Sequence, residues 1–341
     1  MAGADVGLGV VGLGGWGKSV VRAYSQTSGS KLASICDADP RTLASQSRHY
    51  PDAVVASQYS QVLDNPSVDA VVLATPAPMH YEMAKSALRA GKHVYVEKPM
   101  TLRVDHAEEL IELAERQQRK LMVGHLLEYH PAVELMKREV DAGNLGRVYY
   151  MYSQRLNLGV VRQHENAFWS LAPHDISVIL YLFGAEPTRI EANGRDFLQR
   201  GVDDVVFATL HFPDGRLANI HVSWLDPHKK RSMVVVGSEK MLVFDDMDAS
   251  EKIRIYDKSA AIPAEGAPAL GAITVRHGDI LIPRVDAREP LTLEAQHFVD
   301  CIRFDRTPRS DGHDGLRVVR ILEEVERQLR GTVPMPVRRA A

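Results

Sequence analysis

The sequence predicts an α/β protein that opens with a doubly wound parallel sheet. Strand-like apolar runs alternate with helix-like segments through its first third, a pattern that places helices on both faces of a parallel sheet. The first strand-like run, Val6 to Val11, passes into a helical segment, Lys18 to Tyr24, through a glycine-rich turn. Length and composition agree: 341 residues, 45% hydrophobic and 25% charged, make an ordinary globular chain with room for two domains.

The turn reads Gly12-Leu13-Gly14-Gly15-Trp16-Gly17, with Gly12, Gly14 and Gly17 in the G-x-G-x-x-G positions. The first glycine makes a tight turn, the second lets the backbone approach a pyrophosphate, and the third lets the helix pack on the strand. The helix N-terminus then offers free N–H groups and a positive dipole end to phosphates. A second strand, Lys31 to Cys36, ends at Asp37, 20 residues beyond Gly17. A carboxylate is wanted there to take ribose hydroxyls, and it repels a 2′-phosphate. The expected cofactor is therefore NAD rather than NADP, with Arg41 nearby as the one contrary charge. Asp39 and Pro40 read as the cap and first residue of the next helix.

The alternation continues with a strand at Ala70 to Ala74, a helix at Tyr81 to Arg89, a strand at His93 to Val96, a helix at Asp105 to Gln118 and a strand at Leu121 to Val123. Ligands of such sheets sit beyond the carboxyl ends of the strands. The residues expected there are Thr75, Pro76 and His80, then Glu97 and Lys98, then His125. Further on, Ala132 to Asp141 reads as a helix and Arg147 to Arg155 as a strand. Phe207 to Phe212 and Leu217 to Trp224 form a hairpin about Asp214-Gly215, a favoured tight-turn pair. Met233 to Gly237, Met241 to Phe244 and Lys252 to Tyr256 are short strands, Ala260 to Gly271 a surface loop, and Leu293 to Arg303 and Leu316 to Leu329 helices.

Several classes are disfavoured. With 41 basic and 44 acidic residues, the chain is too evenly charged for general nucleic-acid binding. No apolar run approaches the ~20 residues of a membrane span; the longest, Ile176 to Ala185, reads as a buried helix. Cys36 and Cys301 are the only cysteines, too few for a disulfide framework or a cysteine-rich zinc centre, and no metal is expected. No signal peptide is read at the N-terminus, so a cytoplasmic protein is expected.

Glu97-Lys98-Pro99 at a strand end, after G-x-G-x-x-G and a Thr-Pro-x-x-x-His segment, resembles the glucose–fructose oxidoreductase / inositol dehydrogenase / rhizopine catabolism (Gfo/Idh/MocA) family over nearly the whole chain. The resemblance implies a Rossmann domain, here 1–124, followed by an α/β domain, here 125–341. The second domain would hold a large, mostly antiparallel sheet whose open face binds substrate and whose other side often makes oligomer contacts, so a homodimer or homotetramer is expected. The implied activity is hydride transfer between a hydroxyl-bearing carbon and nicotinamide, with Lys98 and a downstream helical histidine as catalytic residues.

The family's histidine segment reads Asp-x-x-x-His-x-x-Asp, with a glycine ten residues after the histidine. Counting back from Gly184 gives His174, with Ser170 and Ser177 where the acids usually stand. Asp175 is adjacent, but helical neighbours do not face each other. His174 is expected to exchange the hydroxyl proton and Lys98 to stabilise the developing alkoxide, with the exchanged assignment of the two roles as the alternative. The intervening stretch, rich in Arg155, Asn157, Arg162, His164, Glu165, Asn166 and Trp169, reads as a loop over the sheet's open face. Its arginines suit a phosphate or carboxylate and Trp169 a ring face. This stretch resembles the branch that oxidises C3 of nucleotide-linked amino sugars such as UDP-N-acetylglucosamine. The alternatives are an inositol or free-sugar dehydrogenase, or a silent NAD-binding regulator.

Overall fold

A computed structural model describes residues 5–163, 165–261 and 273–331. The chain divides into two compact units, Met1–His130 with Ala287–Arg320, and Pro131–Asp286 with Ile321–Ala341.

The first unit holds six parallel strands: β1 (Val6–Val11), β2 (Ser30–Cys36), β3 (Val54–Ala56), β4 (Ala70–Leu73), β5 (His93–Glu97) and β6 (Leu121–Gly124). They lie in the order β3-β2-β1-β4-β5-β6. Every residue of β1, β4 and β6 is buried, which is why these strands read as unbroken apolar runs rather than alternating ones. Helices α1 (Gly17–Ser25), α2 (Pro40–Ser47), α3 (Tyr59–Leu63), α4 (His80–Arg89) and α5 (Val104–Arg116) connect them. β1 pairs in parallel with both β2 and β4, so the strand order reverses beside β1. In open sheets of this type the ligand crevice opens at that reversal, beyond the carboxyl ends. The cap at α2 falls where expected: the Asp39 carboxylate accepts the Arg41 and Thr42 N–H groups at 3.1 and 3.2 Å.

The second unit begins with α6 (Pro131–Asp141), β7 (Val148–Leu156), α7 (Ala167–Leu171) and α8 (Pro173–Phe183). The apolar run read as a buried helix lies largely in α8, where Ile176, Val178, Ile179 and Leu180 are fully buried. Seven further strands follow: β8 (Arg189–Arg195), β9 (Val205–His211), β10 (Leu217–Ser223), β11 (Lys230–Gly237), β12 (Met241–Asp245), β13 (Ile253–Ala261) and β14 (Thr274–Leu281). With β7 they form one sheet, ordered β14-β13-β12-β11-β7-β10-β9-β8. Only the β7–β10 pair is parallel. The expected hairpin is β9–β10, and its Gly215 takes φ +84°, a left-handed conformation that favours glycine. Strands β8 and β14 escape sequence reading because one carries little buried surface and the other none, so neither shows an alternating apolar stripe. Of the loop expected over Ala260 to Gly271, the first two residues end β13 and the rest lies outside the described residues.

One face of this sheet is covered and the other is open. Met151, Ser153 and Arg155 of β7 are buried, while Tyr150 is exposed and Tyr152 and Gln154 are partly so. Across the register, Phe207 and Leu217 also lie on the open face, 46% and 40% exposed. The helices α6, α7 and α8 stand on the covered side, α7 against β9 and β10 and α6 against β12.

The last helices are α9 (Pro290–Arg303) and α10 (Gly312–Gly331). Leu291, Ala295, Phe298 and Val299 of α9 join Tyr24 and Tyr95 in the core of the first unit. Residues 287–320, which a linear division at 124/125 leaves in the second half, therefore pack with the first sheet. The apolar stripe of α9 announces a helix, but nothing in its composition says which sheet it covers.

Candidate active site

The glycine turn has the geometry that its spacing demands. Gly12 sits at φ +88°, and a Cβ there would lie 2.5 Å from the Ala74 carbonyl oxygen. A Cβ on Gly17 would lie 2.0 Å from the Gly12 oxygen, so β1 and α1 meet only through glycine. A Cβ on Gly14 or Gly15 would meet nothing within 4 Å. That open cradle is where a pyrophosphate needs close backbone approach. Leu13 is fully buried and anchors the turn. Its N–H donates to Asp37 Oδ2 at 2.6 Å, and Asp39 N–H donates to Asp37 Oδ1 at 2.8 Å. The carboxylate at the end of β2 is thus tied to the glycine turn, and each oxygen keeps a second lone pair for ribose hydroxyls.

Beyond β4, the Thr75 hydroxyl is buried without a hydrogen-bond partner among the described residues. An orphaned hydroxyl at the carboxyl edge, next to an open glycine cradle and Asp37, fits a dinucleotide that supplies the missing partner. Pro76 is exposed and begins a short turn. His80 departs from its expected place against the cofactor. It is fully buried, with Nδ1 2.8 Å from the Pro99 carbonyl oxygen and Nε2 2.8 Å from that of Thr75. Burial holds its pKa below the usual value, against the pull of these two carbonyls. His80 ties the loop after β4 to the loop after β5, and so braces Lys98 from behind.

Lys98 is the first residue past β5 and is half-buried; the bond to Pro99 is cis. Glu97 is buried at the strand end, and its Oε1 accepts the indole N–H of Trp16 at 2.6 Å. Burial raises the Glu97 carboxyl, while the Trp16 hydrogen bond and the Lys98 charge pull it back. Trp16, 46% exposed, is therefore fixed to the Glu-Lys-Pro segment rather than free to swing. His125 also departs from the expectation that it lines the crevice: it is fully buried, with Nδ1 2.7 Å from Asp314 Oδ2 and 3.4 Å from Glu128 Oε1. Burial opposes its charge, but the two carboxylates outweigh it and push its pKa up to about 10. These three groups lie within 4.8 Å of one another, yet 2.7 Å between nitrogen and oxygen is the separation of a charge-assisted hydrogen bond, with a proton between them.

In the second unit, His174 occupies the first turn of α8, after Pro173, and is half-buried. Its carbonyl accepts the Ser177 hydroxyl at 3.1 Å, so Ser177 turns to the backbone and does not stand in for the family's acid. Asp175 faces elsewhere, as neighbours on a helix do. Its carboxylate takes the Arg155 guanidinium through Nε at 2.7 Å and Nη2 at 3.3 Å, both residues being buried.

That pairing corrects the substrate reading of Arg155, whose fork is already engaged inside the covered face. Two more expectations change in the same way. Trp169 is 5% exposed and donates its indole N–H to Glu326 Oε2 at 2.7 Å. Asn166 is buried as the cap of α7, accepting Trp169 N–H at 3.0 Å. Asn166 caps α7 and Trp169 ties it to α10, and neither reaches over the open face of the sheet. Asn157 is half-buried, with its N–H on the Ser223 carbonyl, and Arg162 is exposed, 3.6 Å from Glu165. These two and His174 keep accessible surface; His164 lies outside the described residues. Sequence reading missed Asp314 as the partner of His125 and Glu294 as a neighbour of Glu97. Both lie almost 200 positions away from the groups they meet, and neither carries a local signal.

Comparison with known proteins agrees with this architecture. Residues 6–125 match the family described as "Oxidoreductase family, NAD-binding Rossmann fold", and residues 133–243 match the GFO/IDH/MocA C-terminal domain. The chain belongs to the Gfo/Idh/MocA family and is an NAD-dependent oxidoreductase. It is 27% identical over 319 residues to UDP-N-acetylglucosamine 3-dehydrogenase of Acidithiobacillus ferrooxidans, spanning 91% of this chain and 93% of that one. It is 26% identical over 328 residues to scyllo-inositol 2-dehydrogenase (NAD(+)) of Bacillus subtilis, spanning 88% and 86%. In fold it is similar to the solved UDP-N-acetylglucosamine 3-dehydrogenase of A. ferrooxidans, with TM-score 0.82 at 24% identity over 96% of this chain and 99% of that one. Among the described residues no helix is long and apolar enough to cross a membrane.

Proposed function

We propose that this protein oxidises a ring hydroxyl of a sugar, with C3 of a nucleotide-linked amino sugar such as UDP-N-acetylglucosamine as the favoured substrate. The observation that carries the reading is the set of groups gathered at the carboxyl edge of the parallel sheet. The open cradle at Gly14, the Asp37 carboxylate, the orphaned Thr75 hydroxyl and Lys98 all stand there. When bound, the nicotinamide ring supplies the hydride acceptor. Gly12 to Gly17 would hold the dinucleotide's pyrophosphate and Asp37 its ribose. Lys98 places a cation where alkoxide charge develops, and His174 accepts the hydroxyl proton. A relative at 27% identity named for the nucleotide sugar supports the substrate. One at 26% named for scyllo-inositol supports a polyol as the alternative.

The cofactor half of this reading is tested at Asp37. Because its carboxylate would meet the ribose hydroxyls of a bound dinucleotide, wild-type protein should bind NAD at least tenfold more tightly than NADP, a difference of about 1.4 kcal/mol. Asp37→Ala should weaken NAD and shrink that gap, as read by fluorescence titration of each dinucleotide. A wild type that prefers NADP would refute the role. Assembly as a homodimer or homotetramer belongs to the same reading. The covered sheet face is occupied by helices, so pairing falls to the open face with Tyr150, Phe207 and Leu217, the reverse of the arrangement expected from the family resemblance, which gave the open face to substrate and the other side to oligomer contacts. A monomeric mass by light scattering at micromolar concentration would contradict it.

A further inference from the structure

Glu294 of α9 is buried to 1% exposure inside the first unit, and no step described above uses it. Its Oε2 lies 3.0 Å from the Tyr95 hydroxyl, and the same hydroxyl lies 3.1 Å from Glu97 Oε1. A tyrosine hydroxyl has one proton to give. Two ionised carboxylates at hydrogen-bond distance from it would leave one oxygen facing a lone pair in a dry interior, a costly arrangement. One of the two acids therefore brings its own proton.

The neighbours decide which. Glu97 receives the Trp16 indole N–H at 2.6 Å and the Lys98 backbone N–H at 3.3 Å, and stands beside the Lys98 cation. Glu294 receives no such donor, and its Oε1 has no hydrogen-bond partner among the described residues. Around it stand Tyr24 from α1, whose ring meets that of Tyr95 edge-on at 5.5 Å, and Phe298 from its own helix, 6.0 Å from the Tyr95 ring. The Tyr24 hydroxyl too has no hydrogen-bond partner among the described residues. The charged groups that act on Glu294 are Glu97, Glu128 and His125, and the His125 charge is already held by Asp314 and Glu128.

We propose that Glu294 is a neutral carboxylic acid that donates to the Tyr95 oxygen, so that Tyr95 donates to Glu97, which stays ionised and holds the Trp16 indole and the Lys98 backbone. The hydrogen bonds then run one way, from α9 through β5 to the glycine turn and the lysine. Glu294 is a positioning residue for both, supplied by a helix about 200 residues further along the chain. Burial and the Glu97 charge both push the Glu294 carboxyl well above its usual range, against the Tyr95 contact. The functional importance of the chain rests on the reading that the glycine turn and Lys98 serve NAD and the reacting hydroxyl; the protonation of Glu294 does not.

The test uses the full chain without cofactor or substrate first. Infrared difference spectra between wild type and Glu294→Gln at neutral pH should show the carbonyl stretch of a protonated carboxylic acid in the wild type, absent from the variant. No such band overturns the proposal, whatever the enzyme turns out to do. Binding then separates position from mere packing. The amide of Glu294→Gln can still donate to Tyr95, so its NAD dissociation constant should stay within about twofold of wild type. Glu294→Met fills the space without a donor, and Tyr95→Phe cuts the chain. Each should weaken NAD by about three- to tenfold, the worth of one net buried hydrogen bond. Glu294→Gln as impaired as Glu294→Met, with both folded by circular dichroism, would also overturn it. A band at Glu294 together with no NAD binding in any form would leave the protonation standing and remove the functional reading instead.

Discussion

Alanine at Lys98 is expected to lower turnover by about a hundredfold to ten-thousandfold, the range for losing one positioned group that steadies charge or moves a proton in the transition state. NAD binding should change by no more than a fewfold. The two effects separate because of where the lysine stands. Its backbone is set by groups on either side, Glu97 accepting its N–H and His80 meeting the Pro99 carbonyl. The glycine turn is held by other contacts, chiefly Asp37 on Leu13. Truncating the Lys98 side chain removes the cation and leaves the cradle. Steady-state rates from NADH absorbance and a separate NAD titration measure both. Unchanged turnover would remove Lys98 from the chemistry. A wild type that binds NAD yet turns over no alcohol would instead favour a silent NAD-binding regulator.

Arginine 155 should behave in the opposite way, with a large loss of stability. Arg155→Ala leaves the Asp175 carboxylate buried without its fork, and breaking one side of a buried ion pair costs about 3–5 kcal/mol. Burial already pushes the Asp175 carboxyl above its usual range, with Arg155 as the main force opposing it. Replacing both partners, Arg155→Met with Asp175→Leu, should restore much of the loss, since well-packed apolar substitutes for such pairs are often neutral. Denaturant unfolding of the three proteins reads the difference. An Arg155→Ala protein that is as stable as wild type but binds substrate poorly would return Arg155 to the substrate role that its position in the sequence suggested.

The contrast between these two residues shows what the order of amino acids reveals here. The glycine turn, Asp37 and the Asp39 cap are local: each is set by a few neighbours and a fixed backbone geometry, so spacing alone locates them. The apolar strands of the first sheet announce themselves because both of their faces are covered. The stretch from Arg155 to Trp169 misleads for a physical reason. Arginine, asparagine and tryptophan are as suited to capping a helix or tying it to a neighbouring element as to grasping a sugar, and only the partner distinguishes the two uses. For Arg155 that partner is Asp175, for Trp169 it is Glu326, 157 positions away. His80 and His125 mislead likewise, since one bridges two backbone carbonyls and the other meets Asp314, 189 positions on. Residues 287–320 return to the first unit, and with them come Glu294 and Asp314. Nothing in their own composition points to that destination.

The proposed activity is tested most directly by NADH formation on mixing the protein with NAD and UDP-N-acetylglucosamine. Free glucose, myo-inositol and a UDP-linked uronic acid run beside it, each with and without 2-oxoglutarate to reoxidise bound NADH. Turnover is expected with the UDP-linked amino sugar and little with the free sugars. Turnover with a free polyol alone would keep the roles of Lys98, His174 and the glycine turn but refute the nucleotide-sugar substrate. Tight NAD binding with no turnover on any member of the panel would contradict the proposed activity itself.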